Sequence, residues 1–157
     1  MEYKIRKIER NEYEILKNFL YEAIFIPEGA KSPSKSIIEL PELKIYIDNF
    51  GQKDDNALVA EIDGKIIGAV WTRIINDYGH VDNETPSLSI SLYKQYRGFG
   101  IGTEMMKQML MLLKELGYKK VSLSVQKENY AAKMYQNLGF YILVKNEQEH
   151  IMVYNFD

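Results

Sequence analysis

The sequence predicts an α+β fold, a mixed α/β sheet carrying helices, on three observations. Ser87 to Leu92 alternates serine with Leu or Ile, the period of a strand with one apolar face. Ile101, Met105, Met109, Leu112, Leu113 and Leu116 recur at helical spacing, with Thr103, Glu104, Lys107, Gln108, Lys114 and Glu115 on the other face. Strand-like and helix-like stretches interleave along the chain in the order β-α-α-β-β-β-α-β-α-β-β.

Each element has a local reason. Tyr3 to Ile8 alternates and opens as a strand. Asn11 is the expected cap of a helix that places Ile15, Leu16, Phe19, Leu20 and Ala23 on one face. Pro27, Gly29, Pro33 and serines 32, 34 and 36 form a loop, and a short helix is expected from Pro41 to Asn49. Asn56 to Ile62 and Lys65 to Ile75 read as strands joined at Asp63-Gly64, a favoured two-residue hairpin turn. Asn76 to Pro86 is a polar loop. After the strand ending at Leu92 comes the glycine cluster Gly98, Gly100, Gly102, then the long amphipathic helix, which Gly117 stops. Lys120 to Val125 is a strand, Tyr130 to Leu138 a helix ended by Gly139. Tyr141 to Lys145 and His150 to Asn155 are the last two strands.

A length of 157 residues suits one domain, 1–157, and 46% apolar with 27% charged residues is the profile of an ordinary globular chain. Cysteine is absent, which excludes disulfides, thiolate metal sites and cysteine nucleophiles; no metal site is expected. No apolar run reaches the ~20 residues of a membrane helix, and the opening MEYKIRKIER has no apolar signal stretch, so a cytoplasmic protein without a membrane partner is expected. The net charge of −2 hides an asymmetry: Tyr93 to Tyr135 holds eight basic and three acidic residues. A basic segment in an acidic chain suits an anionic ligand, as do solvated helix faces. The acidic balance, and basic residues not interleaved with aromatics along one strand, argue against nucleic acid.

Lys94 to Thr103 lies between a strand and a helix. Glycines there let the backbone turn tightly with bare N–H groups, and a helix N-terminus adds unpaired N–H groups and partial positive charge. Together they form a socket for phosphate oxygens. It is not a P-loop, because Gly102 is followed by Thr103 and Glu104 rather than Lys and Ser or Thr. The dinucleotide pattern G-x-G-x-x-G fails as well, since its third glycine would fall on Thr103 or Met105.

R-x-x-G-x-G (Arg97, Gly100, Gly102) after a strand, followed by Asn129, Tyr130, Ala131, Ala132, Tyr135, Gly139 and Phe140, resembles the GCN5-related N-acetyltransferase (GNAT) superfamily. The clear match covers about residues 88–140, and the element order extends it over most of the rest. The resemblance implies acetyl-CoA as cofactor. It places the diphosphate on the backbone of Arg97, Gly98, Phe99, Gly100, Ile101, Gly102 and Thr103. The pantetheine arm falls along Ile90, Ser91 and Leu92, whose strand is usually splayed from its neighbour in this family. A backbone N–H near Leu92 would then face the thioester oxygen. Asn129 matches the family asparagine on the cofactor arm and is equally a helix cap; Lys133 lies four residues on, within reach of a CoA phosphate. Tyr135 matches the tyrosine that protonates the departing thiolate.

Without cysteine no acetyl-cysteine relay exists, so the implied reaction is direct attack by a primary amine of a small molecule or peptide. The base is the vaguer assignment. Asp77, His80, Asp82 and Glu84 lie in one polar loop, with Glu22 and Glu28 near the first helix, and Glu84 is the expected base because the loop must return to the sheet there. Residues 20–50 and 76–86 are the expected specificity region, and their acidic surplus suits a cationic amine. Phe19, Phe25, Tyr46, Phe50, Trp71 and Tyr78 are either pocket or core. The alternative to an enzyme is an acyl-CoA-binding sensor without turnover. A homodimer through the last strands follows from the resemblance alone.

Overall fold

The computed structural model describes residues 2–156. Seven strands form one sheet: β1 (Lys4–Lys7), β2 (Asn56–Ile62), β3 (Lys65–Arg73), β4 (Ser87–Leu92), β5 (Lys120–Gln126), β6 (Tyr141–Lys145) and β7 (Glu149–Asn155). Their spatial order is β1-β2-β3-β4-β5-β7-β6. All neighbours are antiparallel except β4 and β5, which run parallel. Four helices join them: α1 (Leu16–Glu22), α2 (Pro41–Lys44), α3 (Ile101–Glu115) and α4 (Ala131–Leu138). This is the expected order of elements.

The period of two sorts side chains to two cores. Leu88, Leu92, Val121, Leu123 and Val125 pack with Met105, Met109 and Leu113 of α3 on one face. Ala57, Val59, Ala69 and Trp71 pack with Leu16, Phe19 and Leu20 of α1 on the other. Phe19 and Trp71 are therefore core, whereas Tyr78 is about half exposed. The Trp71 indole N–H donates to the Tyr46 carbonyl at 3.0 Å, satisfying a polar group that burial would otherwise penalise.

Several local expectations are corrected. The first helical segment starts at Glu9, not Asn11: Glu9 and Glu12 form a reciprocal capping box ahead of a 3-10 turn (Arg10–Ile15) that leads into α1. The second helix is shorter than Pro41 to Asn49, with a separate 3-10 turn at Lys35–Glu39 before it. The third strand ends at Arg73, two residues before Ile75, where the Arg73 guanidinium is tied off. Its Nε and Nη2 donate to the Asp55 carboxylate at 3.1 and 3.0 Å, and its Nη1 to the carbonyls of Ile45 and Asp48. Leu116 follows the last residue of α3 and is exposed rather than core. Tyr130 lies just before α4 instead of within it. The Asp63-Gly64 turn has φ of 51° and 80°, as a primed hairpin turn requires.

The feature that positions the site is a missing ladder. β4 and β5 pair only at Ser87 and Ser122, and beyond that point the two strands diverge into an open slot. No described helix is long and apolar enough to cross a membrane.

Candidate active site

The chain leaves β4 through Tyr93, whose N–H donates to Ile67 of β3, and makes one 3-10 turn over Lys94–Tyr96. Gly98 and Gly100 then take φ of 86° and 83°. A Cβ at either would meet nothing within 4 Å, so backbone conformation rather than crowding calls for glycine there. Gly102 has the opposite reason: its Cβ would sit 3.3 Å from Leu92 Cδ1, where α3 closes on β4. The first helical donor of α3 is Glu104, bonded to the Gly100 carbonyl. Among the described residues no backbone acceptor takes the N–H groups of residues 98–103. Six successive free donors, on the positive end of a fifteen-residue helix, make an anion socket.

Arg97, expected in the cradle, gives it no donor: its N–H closes the 3-10 turn on the Lys94 carbonyl at 3.2 Å. Its Nε donates to the Leu92 carbonyl at 2.9 Å, and its Nη2 reaches the Glu22 carbonyl and carboxylate at 3.2 and 3.3 Å. The side chain thus ties the loop to the end of α1, a role that sequence reasoning missed because it depends on two distant residues.

The slot edge follows from strand alternation. The Pro86 carbonyl accepts from Ser122 of β5, while the Tyr93 N–H turns to β3. By the period of two, the backbone of Ile90 and Leu92 faces the slot and that of Ser91 faces β3. The Ser91 hydroxyl donates to the Phe19 carbonyl at 2.6 Å, so its polar groups all point away from the slot. Ile90 N–H and C=O, with Leu92 N–H, are the edge groups open to an extended ligand.

A cleft of about 430 Å³ separates α3 from α4 and is lined by Thr103, Lys107, Tyr130, Lys133 and Met134 among others. It opens beside the socket, with two lysines and a fully exposed tyrosine ring. These suit a phosphate and a planar base. Lys107 was not singled out from sequence, although it lies one helical turn from Thr103 and so shares its face. Asn129 Oδ1 accepts from the Ala131 N–H at 3.0 Å and so caps α4.

Tyr135, on α4, is 7% exposed and packs on Phe140 with ring centroids 5.8 Å apart. Burial pushes its phenol up to about 12; its hydroxyl bonds no described residue, yet it is not among the fully buried unpaired atoms. Glu84 is exposed; its N–H donates to Asp82 Oδ1, and its carboxylate bonds no described residue. Asp82 also accepts from Thr85 and pairs with Lys120 at 3.3 Å, which together hold it below the usual carboxylate range. The inward-turned acid of the loop is Asp77, which accepts from the Ser87 hydroxyl at 2.8 Å. Burial raises its carboxyl, with the Ser87 and Tyr46 hydroxyls acting in the other direction.

The model of the acetyltransferase (GNAT) family matches residues 17–140, a span that holds the socket, the slot and Tyr135. The chain belongs to the GNAT acetyltransferase family. Its similarities fit that membership. It is 29% identical to an N-alpha-acetyltransferase of Sulfurisphaera tokodaii over 104 residues, covering 60% of this chain and 62% of that one. It is 31% identical over 83 residues to a probable N-acetyltransferase, camello, of Xenopus tropicalis, covering 52% and 36%. The chain thus spans less than two thirds of the length of these curated relatives. In fold, it is similar to the PaiA N-acetyltransferase of Thermoplasma acidophilum in complex with coenzyme A. That match has a TM-score of 0.69 and 22% identity, covering 99% of this chain and 100% of the other. A GNAT acetyltransferase of Staphylococcus aureus Mu50 gives 0.71 and 18%, with the same coverage.

Proposed function

We propose that this GNAT domain, 1–157, transfers an acetyl group from acetyl-CoA directly to a primary amine of a small molecule or peptide. The observation that carries this reading is the run of six free N–H groups at residues 98–103, set at the mouth of a slot whose edge is open backbone. The residues fit the cofactor in three ways. The socket suits a diphosphate, the Ile90 and Leu92 edge suits an amide-bearing arm, and Lys107, Lys133 and Tyr130 suit a phosphorylated nucleoside. When bound, acetyl-CoA supplies an acyl carbon to which the amine nitrogen bonds as the C–S bond breaks, the electron pair leaving on sulfur.

The chain's own residues supply the rest. The Leu92 N–H is placed to stabilise negative charge on the carbonyl oxygen. Tyr135 is the proton donor to the departing thiolate. Its phenol lies further above a free thiol near ~8.5 than an ordinary tyrosine would. The same apolar surroundings penalise a thiolate too, so both anions are displaced in one direction. The absence of cysteine removes any covalent acyl-enzyme on sulfur.

The test is a thiol-release screen with acetyl-CoA against polyamines, amino acids, aminoglycosides and peptides, run beside a melting curve. Acetyl-CoA is expected to raise Tm, because it binds only the folded chain. At least one amine is expected to release thiol continuously. A Tm rise without release from any amine favours an acyl-CoA sensor instead.

A further inference from the structure

The loop between β3 and β4 holds the four candidate bases Asp77, His80, Asp82 and Glu84, of which the sequence favours Glu84. Three are accounted for. Glu84 points to solvent, Asp82 is bound by Thr85 and Lys120, and His80 Nδ1 lies 2.9 Å from the Ile75 carbonyl. Outside the loop, Glu22 is bound to Arg97. Asp77 is turned inward instead, onto the hydroxyl of Ser87.

Ser87 is the β4 residue at which β4 and β5 still pair, so it marks the closed end of the slot. The loop is pinned across that end. Ser122 of β5 donates to the Gly79 carbonyl at 2.6 Å, and a Cβ on Gly79 would lie 3.3 Å from the backbone of Leu123 and Ser124. Leu88, Val121 and Leu123 belong to the α3 core. Ser87 and Ser122 therefore project to the opposite face, the one carrying α1 and α2. Tyr135 is packed in the α3 core. A carboxylate and a phenol thus stand on opposite faces of one sheet, with the slot between them.

We propose that Asp77, held by the Ser87 hydroxyl at the closed end of the β4–β5 slot, takes the proton from the ammonium group of an acceptor that enters over the α1 and α2 face. The proposal rests on the acetyl-transfer reading. An ammonium group loses one proton to the Asp77 carboxylate and keeps the electron pair on nitrogen for attack; Asp77 then returns that proton to solvent. The second nitrogen proton, released once the C–N bond has formed, balances the one that Tyr135 gives to sulfur. Two faces thus serve the two proton transfers.

Burial lifts Asp77 above the usual carboxylate range, which makes it a better proton acceptor than a solvated acid. The titratable groups around it are Tyr46 from the turn after α2 and Tyr78 and His80 of its own loop. β4 and β5 offer the hydroxyls of Ser87 and Ser122, Lys120 pairs with Asp82, and Arg73 on β3 is bound to Asp55.

The experiment compares Asp77→Asn and Ser87→Ala with the parent chain. Asp77→Asn is expected to leave the acetyl-CoA Tm rise intact and to lower kcat/KM at pH 7 about 100-fold, as loss of a general base does. Its log kcat/KM is expected to climb with unit slope to the amine's own pKa, where the parent reaches a plateau earlier. Ser87→Ala removes a donor that favours the carboxylate, so the acidic limb moves to higher pH. A ligand-free readout stands beside these. A carboxyl raised in the fold loses native stability as pH rises through its folded pKa, so Asp77→Asn gains Tm on the parent more at pH 8 than at pH 5. An unchanged pH profile with an intact acetyl-CoA shift overturns the assignment to Asp77 alone. No acetyl-CoA shift in the parent overturns the acetyl-transfer reading beneath it. A Tm gain independent of pH overturns the buried carboxylate.

Discussion

Replacing Tyr135 by Phe separates chemistry from folding unusually well in this molecule. The hydroxyl bonds no described residue and the ring is packed on Phe140, so the substitution removes one polar atom and no hydrogen bond within the protein. Loss of an unpaired hydroxyl that is not among the fully buried polar atoms changes stability by about 1 kcal/mol or less. At about 2–4 °C per kcal/mol for a domain of this size, Tm stays within about 4 °C of the parent. Acetyl-CoA affinity, measured by titration calorimetry, is expected to be unchanged, because the socket and slot edge are backbone. Turnover is expected to fall about 100- to 10,000-fold, the range for loss of a general acid, or roughly 3–5 kcal/mol in the barrier. With its phenol near 12, Tyr135 stays protonated throughout an ordinary assay, so the parent shows no alkaline decline from this group below about pH 11. Turnover within threefold of the parent, with affinity and Tm retained, would refute the proton-donor role.

Two further predictions concern the socket and the scaffold. Gly100→Glu is expected to abolish the acetyl-CoA Tm rise, by setting a carboxylate beside the free N–H run, and to lower the ligand-free Tm by a few degrees through the ~1–2 kcal/mol cost of a left-handed non-glycine residue. Gly100→Ala, which carries the backbone cost without the charge, separates the two effects, and an undiminished rise in the Glu variant contradicts the phosphate placement. Asp55→Ala leaves the buried Arg73 guanidinium without its carboxylate, and chemical denaturation is expected to show a loss of about 3–5 kcal/mol. A loss under 1 kcal/mol would mean that the carbonyls of Ile45 and Asp48 suffice.

What was legible in the sequence is what depends on neighbours along the chain. The Ser-Leu alternation of β4 and the Asp63-Gly64 turn need only local backbone preferences, and both stand where expected. The same holds for the tight backbone at Gly98 and Gly100, because a positive φ is a property of one residue. The end of β3 was overrun by two residues because Arg73 is stopped by Asp55, eighteen positions away, and no local pattern encodes that pair. The first helical segment was misplaced because Glu9, a poor cap by propensity, works only with Glu12. Glu84 was favoured because the loop returns there, and it does, but its side chain faces water. Asp77 turns inward because the Ser87 hydroxyl, ten positions off, donates to it, and only folding brings that partner in.

The single pairing point between β4 and β5 makes this sheet two half-sheets, one of four strands and one of three, joined along an incomplete seam. An extended molecule lying in the seam would act as an eighth strand and tie the halves into one cooperative unit. Amide protons of β4 and β5 would then slow their exchange together when it binds, although they lie on opposite banks. Occupancy would be felt as far away as β1 and β6, because a ligand completing the fold stiffens what it touches and what that in turn supports.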